Sequence, residues 1–364
     1  MKIIRAAMLS ILFISLAGCA SIGGRKIEPD RASFTNAIGE SWKSQMLLNI
    51  VKIRYNDAPV FLDVASVISS YAMEEQVNFG FNWSVADMAN FQNVGGYGRY
   101  TDRPTITYNP LMGEKFARSL MTPIPPPAIL SLIQAGYPAD LVMRIAVHSV
   151  NGVRNRYGGG ARLRKADPDF YPLLDKLKEL QNSGVMGMRV NRNAASGAPG
   201  TPGGNSGTLL ILKGKATQEV EKNRSAVRKM LGLDEATDEF SVAYGSVAKD
   251  DHEIAILSRS VLEILIDLAS YIDVPAVHIE EKRVNASFSE ENAAGQPVLP
   301  LIKINSSLNK PEDALVAVPF RGYWFWIDDR DRASKAMFTF LMFIFTLTET
   351  GGKDSTPIVT IPAG

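Results

Sequence analysis

Apolar residues in this chain recur at two spacings, and the spacing changes several times along its length. Trp42, Met46, Leu47, Ile50 and Ile53 repeat every three or four residues, which predicts a helix over Asn36–Tyr55. Asn56-Asp57-Ala58-Pro59 stops it. Val60–Ala72 is richer in β-branched residues and reads as extended, and Pro104–Tyr108 reads as a short strand. A helix over Gly113–Met121 ends at Pro123. The run Pro125-Pro126-Pro127 then suits the first turn of another, which continues through Gln134 and closes at Gly136. Leu141, Met143, Ile145 and Val147 alternate with Val142, Arg144, Ala146 and His148, the pattern of a strand. Leu173, Leu174, Leu177 and Leu180 line one side of a helix opened by Pro172.

The second half of the chain is more sharply marked. Strands at Val185–Val190 and Thr208–Lys213 flank the one low-complexity segment, 194–207, which reads as a flexible Gly/Pro-rich insertion in a hairpin. A helix over Gln218–Leu231, strands at Phe240–Tyr244 and Glu253–Leu257, and a strongly apolar helix over Ser258–Ile272 follow. Ala314–Phe320 and Tyr323–Ile327 are strands joined by a tight turn at Arg321-Gly322. Asp328, Asp329 and Asp331 can cap the next helix, whose interior, Met337–Leu347, is apolar on nearly every side. Such a helix is either central core or a buried partner interface. Thr356–Pro362 reads as a last strand. The elements interleave irregularly without an internal repeat. The expected fold is therefore α+β: a mixed, mostly antiparallel sheet with packed helices in a single body over 34–364.

The N-terminus has its own grammar. Lys2 and Arg5 precede an apolar stretch, Ala6–Leu16, too short to span a bilayer, and Leu16-Ala17-Gly18-Cys19 follows at once. This run resembles the lipobox of bacterial lipoproteins. The resemblance implies a signal peptide over 1–18, lipidation of Cys19, and a lipidated cysteine with a flexible tether over 19–33. Ala20 and Ser21 leave no aspartate after the cysteine, which within that family implies the outer membrane, here with the body on its periplasmic face. The family also implies triacylation, a firm anchor where one acyl chain gives only marginal binding. The polar tether, with its Gly pair and Pro29, reaches only about 20 Å if flexible. Cys19 is the chain's single cysteine. With Cys19 lipidated, the body has no disulfide, zinc–thiolate site or cysteine nucleophile.

Charge narrows the partners. The formal net charge of +1 becomes about −1 once Lys2 and Arg5 leave with the leader. Such a balance carries no electrostatic footprint for nucleic acid. With 46% hydrophobic and 21% charged residues, the chain has the composition of an ordinary folded protein. The expected partners are the membrane through the lipid, a protein of the envelope, and a glycan or anionic lipid.

Candidate chemistry is sparse. The three histidines, His148, His252 and His278, form no metal-binding spacing, and no cofactor motif is present. Ser246-Val247-Ala248-Lys249 has the serine–lysine spacing of penicillin-binding enzymes, but it follows a strand and lacks the companion motifs. Two stretches fit binding better. Arg154, Arg156, Arg162, Arg164 and Lys165 surround Gly158-Gly159-Gly160, a composition suited to gripping phosphate or carboxylate. Trp83, Phe91, Tyr97 and Tyr100 are interleaved with Asn and Gly, which suits sugar rings or protein partners. Together these features imply a non-catalytic accessory or scaffold of the envelope, with no catalytic residue and no metal assigned. An envelope hydrolase acting on cell wall or lipid, and a lipoprotein that binds glycan or anionic lipid, are the alternatives.

Overall fold

The computed structural model describes residues 22–68, 71–81, 92–102, 105–111, 114–159, 163–190, 207–214, 217–287, 289–291 and 295–348. Cys19, Trp83, Phe91, Arg162, most of the low-complexity insertion and the strand expected at Thr356–Pro362 lie outside them. The chain divides into two compact units, where one body was expected over 34–364. The larger takes in the chain up to Pro59 and from Glu114 onward, and the smaller is Val60–Gly113.

Helix α1 (Ile22–Arg54) opens the larger unit. Met46, Leu47, Ile50 and Val51 form its buried stripe, as the spacing predicts. It begins well before Asn36, so residues 22–33 are helical rather than a flexible tether. Once the packed turns around Met46–Ile50 exist, each further residue adds a hydrogen bond without a new nucleus, and polar sequence follows. Asn56, with φ 56°, ends the helix.

The smaller unit is a two-stranded antiparallel ribbon. β1 (Phe61–Ile68) and β2 (Tyr71–Phe81) run out; β3 (Gln92–Asp102) and β4 (Thr105–Leu111) return. β1 pairs with β4 from Phe61↔Leu111 to Ile68↔Thr105, and β2 with β3 from Tyr71↔Asp102 to Phe81↔Gln92. A bulge between Val64 and Ser66 shifts the register by one.

The larger unit resumes with α2 (Glu114–Met121), α3 (Pro126–Gln134) and α4 (Ala139–Ala146). Next come β5 (Val147–Val150), β6 (Val153–Arg154), α5 (Phe170–Asn182), β7 (Met186–Val190) and β8 (Thr208–Leu212). α6 (Gln218–Leu231), β9 (Glu239–Tyr244), β10 (Glu253–Ser258) and α7 (Val261–Ala269) follow. The chain then passes through α8 (Ala276–Glu280), β11 (Asn305–Ser307), β12 (Ala314–Phe320), β13 (Tyr323–Asp328) and α9 (Arg332–Thr348).

Six strands form a mixed sheet in the order β6-β5-β10-β9-β8-β7. Only β9 and β10 are parallel; the other neighbours are antiparallel. The α+β expectation with a mostly antiparallel sheet holds. The β7–β8 hairpin pairs Met186–Val190 with Thr208–Leu212, which places the insertion at a hairpin tip as its composition implies. Leu130 and Ile133 of α3, Met143 of α4, Leu177 of α5 and Val227 of α6 meet Leu210, Val242, Ile254 and Ile256 of the sheet, closing the main core. A second sheet, β11-β13-β12, turns at Arg321 (φ 49°) and Gly322 (φ 88°), the doubly positive pair that a two-residue hairpin of this hand demands.

Residues 139–146 are helical, against the strand reading of 141–148. Ala139, Val142, Met143 and Ala146 are buried at helical spacing. From Leu141 to Val147 every position except Arg144 is apolar, so either period is filled. The end signals decide: Pro138 precedes the first turn, Asp140 lies within it, and Arg144 is in the last, the order the helix dipole favours. The helix expected over Ser258–Ile272 is trimmed to α7 by a capping box at its start. Ser260 Oγ accepts from Glu263 N (3.3 Å), and Glu263 Oε2 accepts from Ser260 N (2.8 Å). Helix α9 belongs largely to the core: Met337, Phe338, Phe340, Leu341, Ile344 and Phe345 are buried, while Phe343 is exposed. Asp331 caps it, accepting from Ser334 N at 3.1 Å.

Ser260→Ala removes one half of the α7 box and should lower stability by about 1 kcal/mol, read as a shift of the urea midpoint. An unshifted midpoint would mean the box adds nothing to a helix already held by packing.

Candidate functional site

The larger unit gathers its charged side chains in one dry place. Arg156 (1% exposed), Arg259 (0%), Asp267 (1%) and Glu290 (5%) come together from three separate segments. Arg259 precedes the α7 cap and Asp267 sits in the last turn of that helix, so one helix sets their separation. Asp267 Oδ2 accepts from Arg259 Nη1 (3.2 Å), and Asp267 Oδ1 accepts from Gly158 N (2.8 Å). Arg156 Nη2 donates to Ser270 Oγ (3.0 Å), and Arg156 Nε lies 3.4 Å from Glu290 Oε2. Glu290 also accepts from Ala166 N and from the Tyr171 hydroxyl, each at 2.8 Å. Arg259 Nη2 donates to the Arg156 carbonyl. Two cations thus face two anions, and the guanidinium of Arg156 lies 4.3 Å over the Tyr271 ring.

The electrostatics follow from this dryness. Burial alone pulls the Arg156 guanidinium down, but Asp267, Tyr271 and Glu290 outweigh it and hold the group above its ordinary range. Tyr271 and Tyr171 are pushed up, first by burial and then by Asp267 and Glu290 respectively. Arg156, Tyr171 and Tyr271 therefore keep one protonation state near neutral pH. The arrangement ties segments together.

The expected arginine cluster divides. Arg156 turns inward to this network. Arg154 is exposed and pairs with Asp167, Nε to Oδ2 at 3.3 Å. Arg164 donates to the Asn155 carbonyl (2.8 Å), and Lys165 is exposed. Tyr157 and Arg164 exchange two backbone hydrogen bonds, which fold the loop back on itself. The described arginines do not converge on one surface. Beside them lies a cleft of about 70 Å³ lined by Arg54, Asn56, Gly158, Ser270 and Asn285, among others. Arg54 donates to the Asn285 carbonyl at 2.6 Å. The cleft sits at the C-terminal ends of α1 and α7, where helix carbonyls gather.

A second buried polar contact joins three elements. The Tyr55 hydroxyl and His278 Nδ1 are 2.7 Å apart, next to α1 and within α8, and the His278 ring meets Tyr323 of β13 edge-on at 5.0 Å. Burial, then Arg283, lowers the His278 pKa. Burial also pushes Tyr55 up to about 12.

The remaining sequence candidates are placed plainly. Ser246 and Lys249 are exposed on the loop between β9 and β10, not at a helix start where a lysine could reach the serine. His252 is exposed, 3.9 Å from Asp234 and 3.7 Å from Asp251. Among the described residues no group of three or more His, Cys, Asp or Glu is placed to hold a metal ion. Asp329 pairs with Lys335 at 2.6 Å, and Asp313 with Arg330 at 2.6 Å. Tyr97 and Tyr100 lie on β3 opposite Gln76 and Met73, an odd number of positions apart and hence on opposite ribbon faces. They do not share one platform.

Sequence reasoning missed Arg259, Asp267 and Glu290. The signal was there for two of them: an Asp inside the apolar run Val261–Ala269, with an arginine two residues before that helix, implies a buried partner. Compared with known protein families, curated proteins and solved structures, the chain finds no match.

Two outcomes follow. Arg156→Met leaves Asp267 and Glu290 buried without their shared cation and should cost roughly 3–5 kcal/mol of unfolding free energy. A Cβ at Gly158 would lie 2.6 Å from Arg156 Nη2, 2.8 Å from Asp267 Oδ1 and closer still to Ser270 Oγ. Gly158→Ala should therefore cost about 1–3 kcal/mol by urea titration. Wild-type stability in either variant would remove the network from the fold's foundations. In addition, the lowered pKa values of His278 and His148 mean the unfolded chain takes up protons first. Stability is then full above about pH 6.5 and falls as pH drops below it. His278→Asn should flatten that slope measurably between about pH 7 and 5, leaving the share due to His148.

Proposed function

We propose that this chain is a lipid-anchored, non-catalytic component of the bacterial envelope, held at the outer membrane through Cys19 and docking other envelope components through the β1–β4 ribbon. The observation that carries the docking role is the ribbon's exposed apolar residues, together with β2 and β3 pairing only with each other among the described residues. Leu62, Ile106 and Tyr108 are 39%, 42% and 49% exposed on a two-stranded sheet with no third strand among the described residues. Open strand edges recruit other chains, and natural proteins keep them only where covered or charged. The accessory reading is also supported by the larger unit, whose buried charges are consumed in holding segments together. The anchor rests on the Leu16-Ala17-Gly18-Cys19 run.

Full-length protein should fractionate with the outer membrane, and Cys19→Ser should release it into the periplasm. Phe61 and Leu111 are direct partners, so a short turn can replace the ribbon between them without stretching the chain. That deletion should abolish crosslinked adducts from native envelopes while urea unfolding of the larger unit stays unchanged. Adducts that survive the deletion would sink the docking role, and membrane retention of Cys19→Ser would sink the lipid anchor.

A further inference from the structure

The ribbon has two chemically different faces. Along β2, Tyr71, Met73, Val77, Phe79 and Phe81 alternate with Ala72, Glu74, Gln76, Asn78 and Gly80. The register puts Tyr100 opposite Met73 and Val94 opposite Phe79 on the first face. It puts Arg99 opposite Glu74, Tyr97 opposite Gln76 and Asn93 opposite Gly80 on the second. The first face is mainly apolar but also carries Glu75 and, at its ends, Asp102 opposite Tyr71 and Gln92 opposite Phe81; the second is mainly polar, with Glu74 and Arg99 at paired positions. β4 repeats the alternation, Ile106 and Tyr108 against Thr105 and Thr107.

We propose that this ribbon crosses a lipid bilayer as one hairpin of a β-barrel built from several copies of the chain. The inference rests on the docking role given to the ribbon above and names its partners: a second copy at each edge and lipid at the apolar face. Three observations converge on it. β2 and β3 are each 11 residues long, and a tilted strand needs about 9–11 residues to span the hydrocarbon core. The alternation of apolar and polar residues is that of a strand with lipid on one side and an aqueous lumen on the other. Finally, β2 and β3 pair only with each other among the described residues. In hydrocarbon no water satisfies an open edge, so two strands must be closed by others. Placing β2 of one copy beside β3 of the next keeps every pairing antiparallel, and repeated head-to-tail contacts close a ring. Glu75, opposite Gly98, and Asp102, opposite Tyr71 at the end of the strands, are the charged residues on the lipid-facing side. A carboxylate costs a lipid-facing strand less than a cationic side chain does, and less again near the interface.

The test uses the full-length lipidated protein in phosphatidylethanolamine–phosphatidylglycerol vesicles loaded with a small fluorophore. Gln76→Cys, Val77→Cys, Asn78→Cys and Phe79→Cys each carry an environment-sensitive label. A lipid-borne quencher should reach positions 77 and 79, and an aqueous quencher 76 and 78, in a protein that sediments as an oligomer and releases the fluorophore. Phe79→Arg should slow release by at least about tenfold, because a cation on the lipid face opposes insertion. Asn78→Arg, one position away on the polar face, should insert, assemble and release, which controls for folding. Aqueous quenching at all four positions, or a period-two pattern in a monomer, would overturn the barrel. If all four positions are aqueous while ribbon deletion still abolishes envelope crosslinks, the barrel fails and the docking role stands. If the deletion leaves the crosslinks intact, the docking role itself is wrong.

Discussion

Removing a charge from water is so costly that buried ions survive only where their partners are built around them, and in this protein four such ions share one volume. Arg156, Arg259, Asp267 and Glu290 bring together the loop after β6, the start and end of α7, and the segment before residue 291. Each member is tolerable only with the others in place. The glycine at 158 is part of the same arrangement, because its backbone N–H reaches Asp267 where any side chain would collide. Arg156 and Arg259 also hold the backbone: one lends its carbonyl to the other, and Arg259 reaches the Ile145 carbonyl at the end of α4. The six-stranded sheet and the helices on it are thereby pinned at β5 and β10 by interactions that hydrophobic contact alone would not orient.

This constraint gives a loop rich in arginine and glycine a structural use, with Arg156 and Gly158 holding the fold together. Composition there matches that of an anion site, and both uses need guanidinium groups and close backbone approach. They differ in what the guanidinium faces. Inside, Asp267 and Glu290 supply the anions, so an external one has no charge left to answer. At the cleft beside Arg54, the arginine donates to the Asn285 carbonyl. The larger unit, whose buried charges are paired among themselves, contrasts with the smaller, whose ribbon shows exposed apolar residues. Function in the reading advanced above falls to that ribbon.

How much could be read in advance depended on whether the deciding signal was local. The β12–β13 hairpin was legible from Arg321-Gly322 because only a positive-φ pair turns a two-residue hairpin. The α9 cap was legible from Asp331, and the insertion between β7 and β8 from composition. Residues 139–146 were misread because an almost wholly apolar segment fits both periods. Residues 22–33 were misread because their helix is propagated from packed turns downstream. The parallel pairing of β9 with β10 had no local mark at all: the eight residues between them are fewer than a parallel connection usually takes.

The sequence by itself determined the kinds and rough bounds of most elements, the α+β class, the absence of a thiol beyond Cys19, and the alternation that makes two faces in the ribbon. Each of these follows from neighbours along the chain, whose spacing selects a helix, a strand or a turn. Only the tertiary structure decided that Arg156 turns inward while Arg154 turns out, that Asp267 is its partner, and that Tyr97 and Tyr100 part to opposite faces. It alone separated Val60–Gly113 as a unit of paired antiparallel strands. Several of those outcomes rest on contacts between residues far apart in the chain, as Arg156 and Ser270 are. Burial and pairing at such separations depend on where every other segment has packed, and no local spacing encodes them.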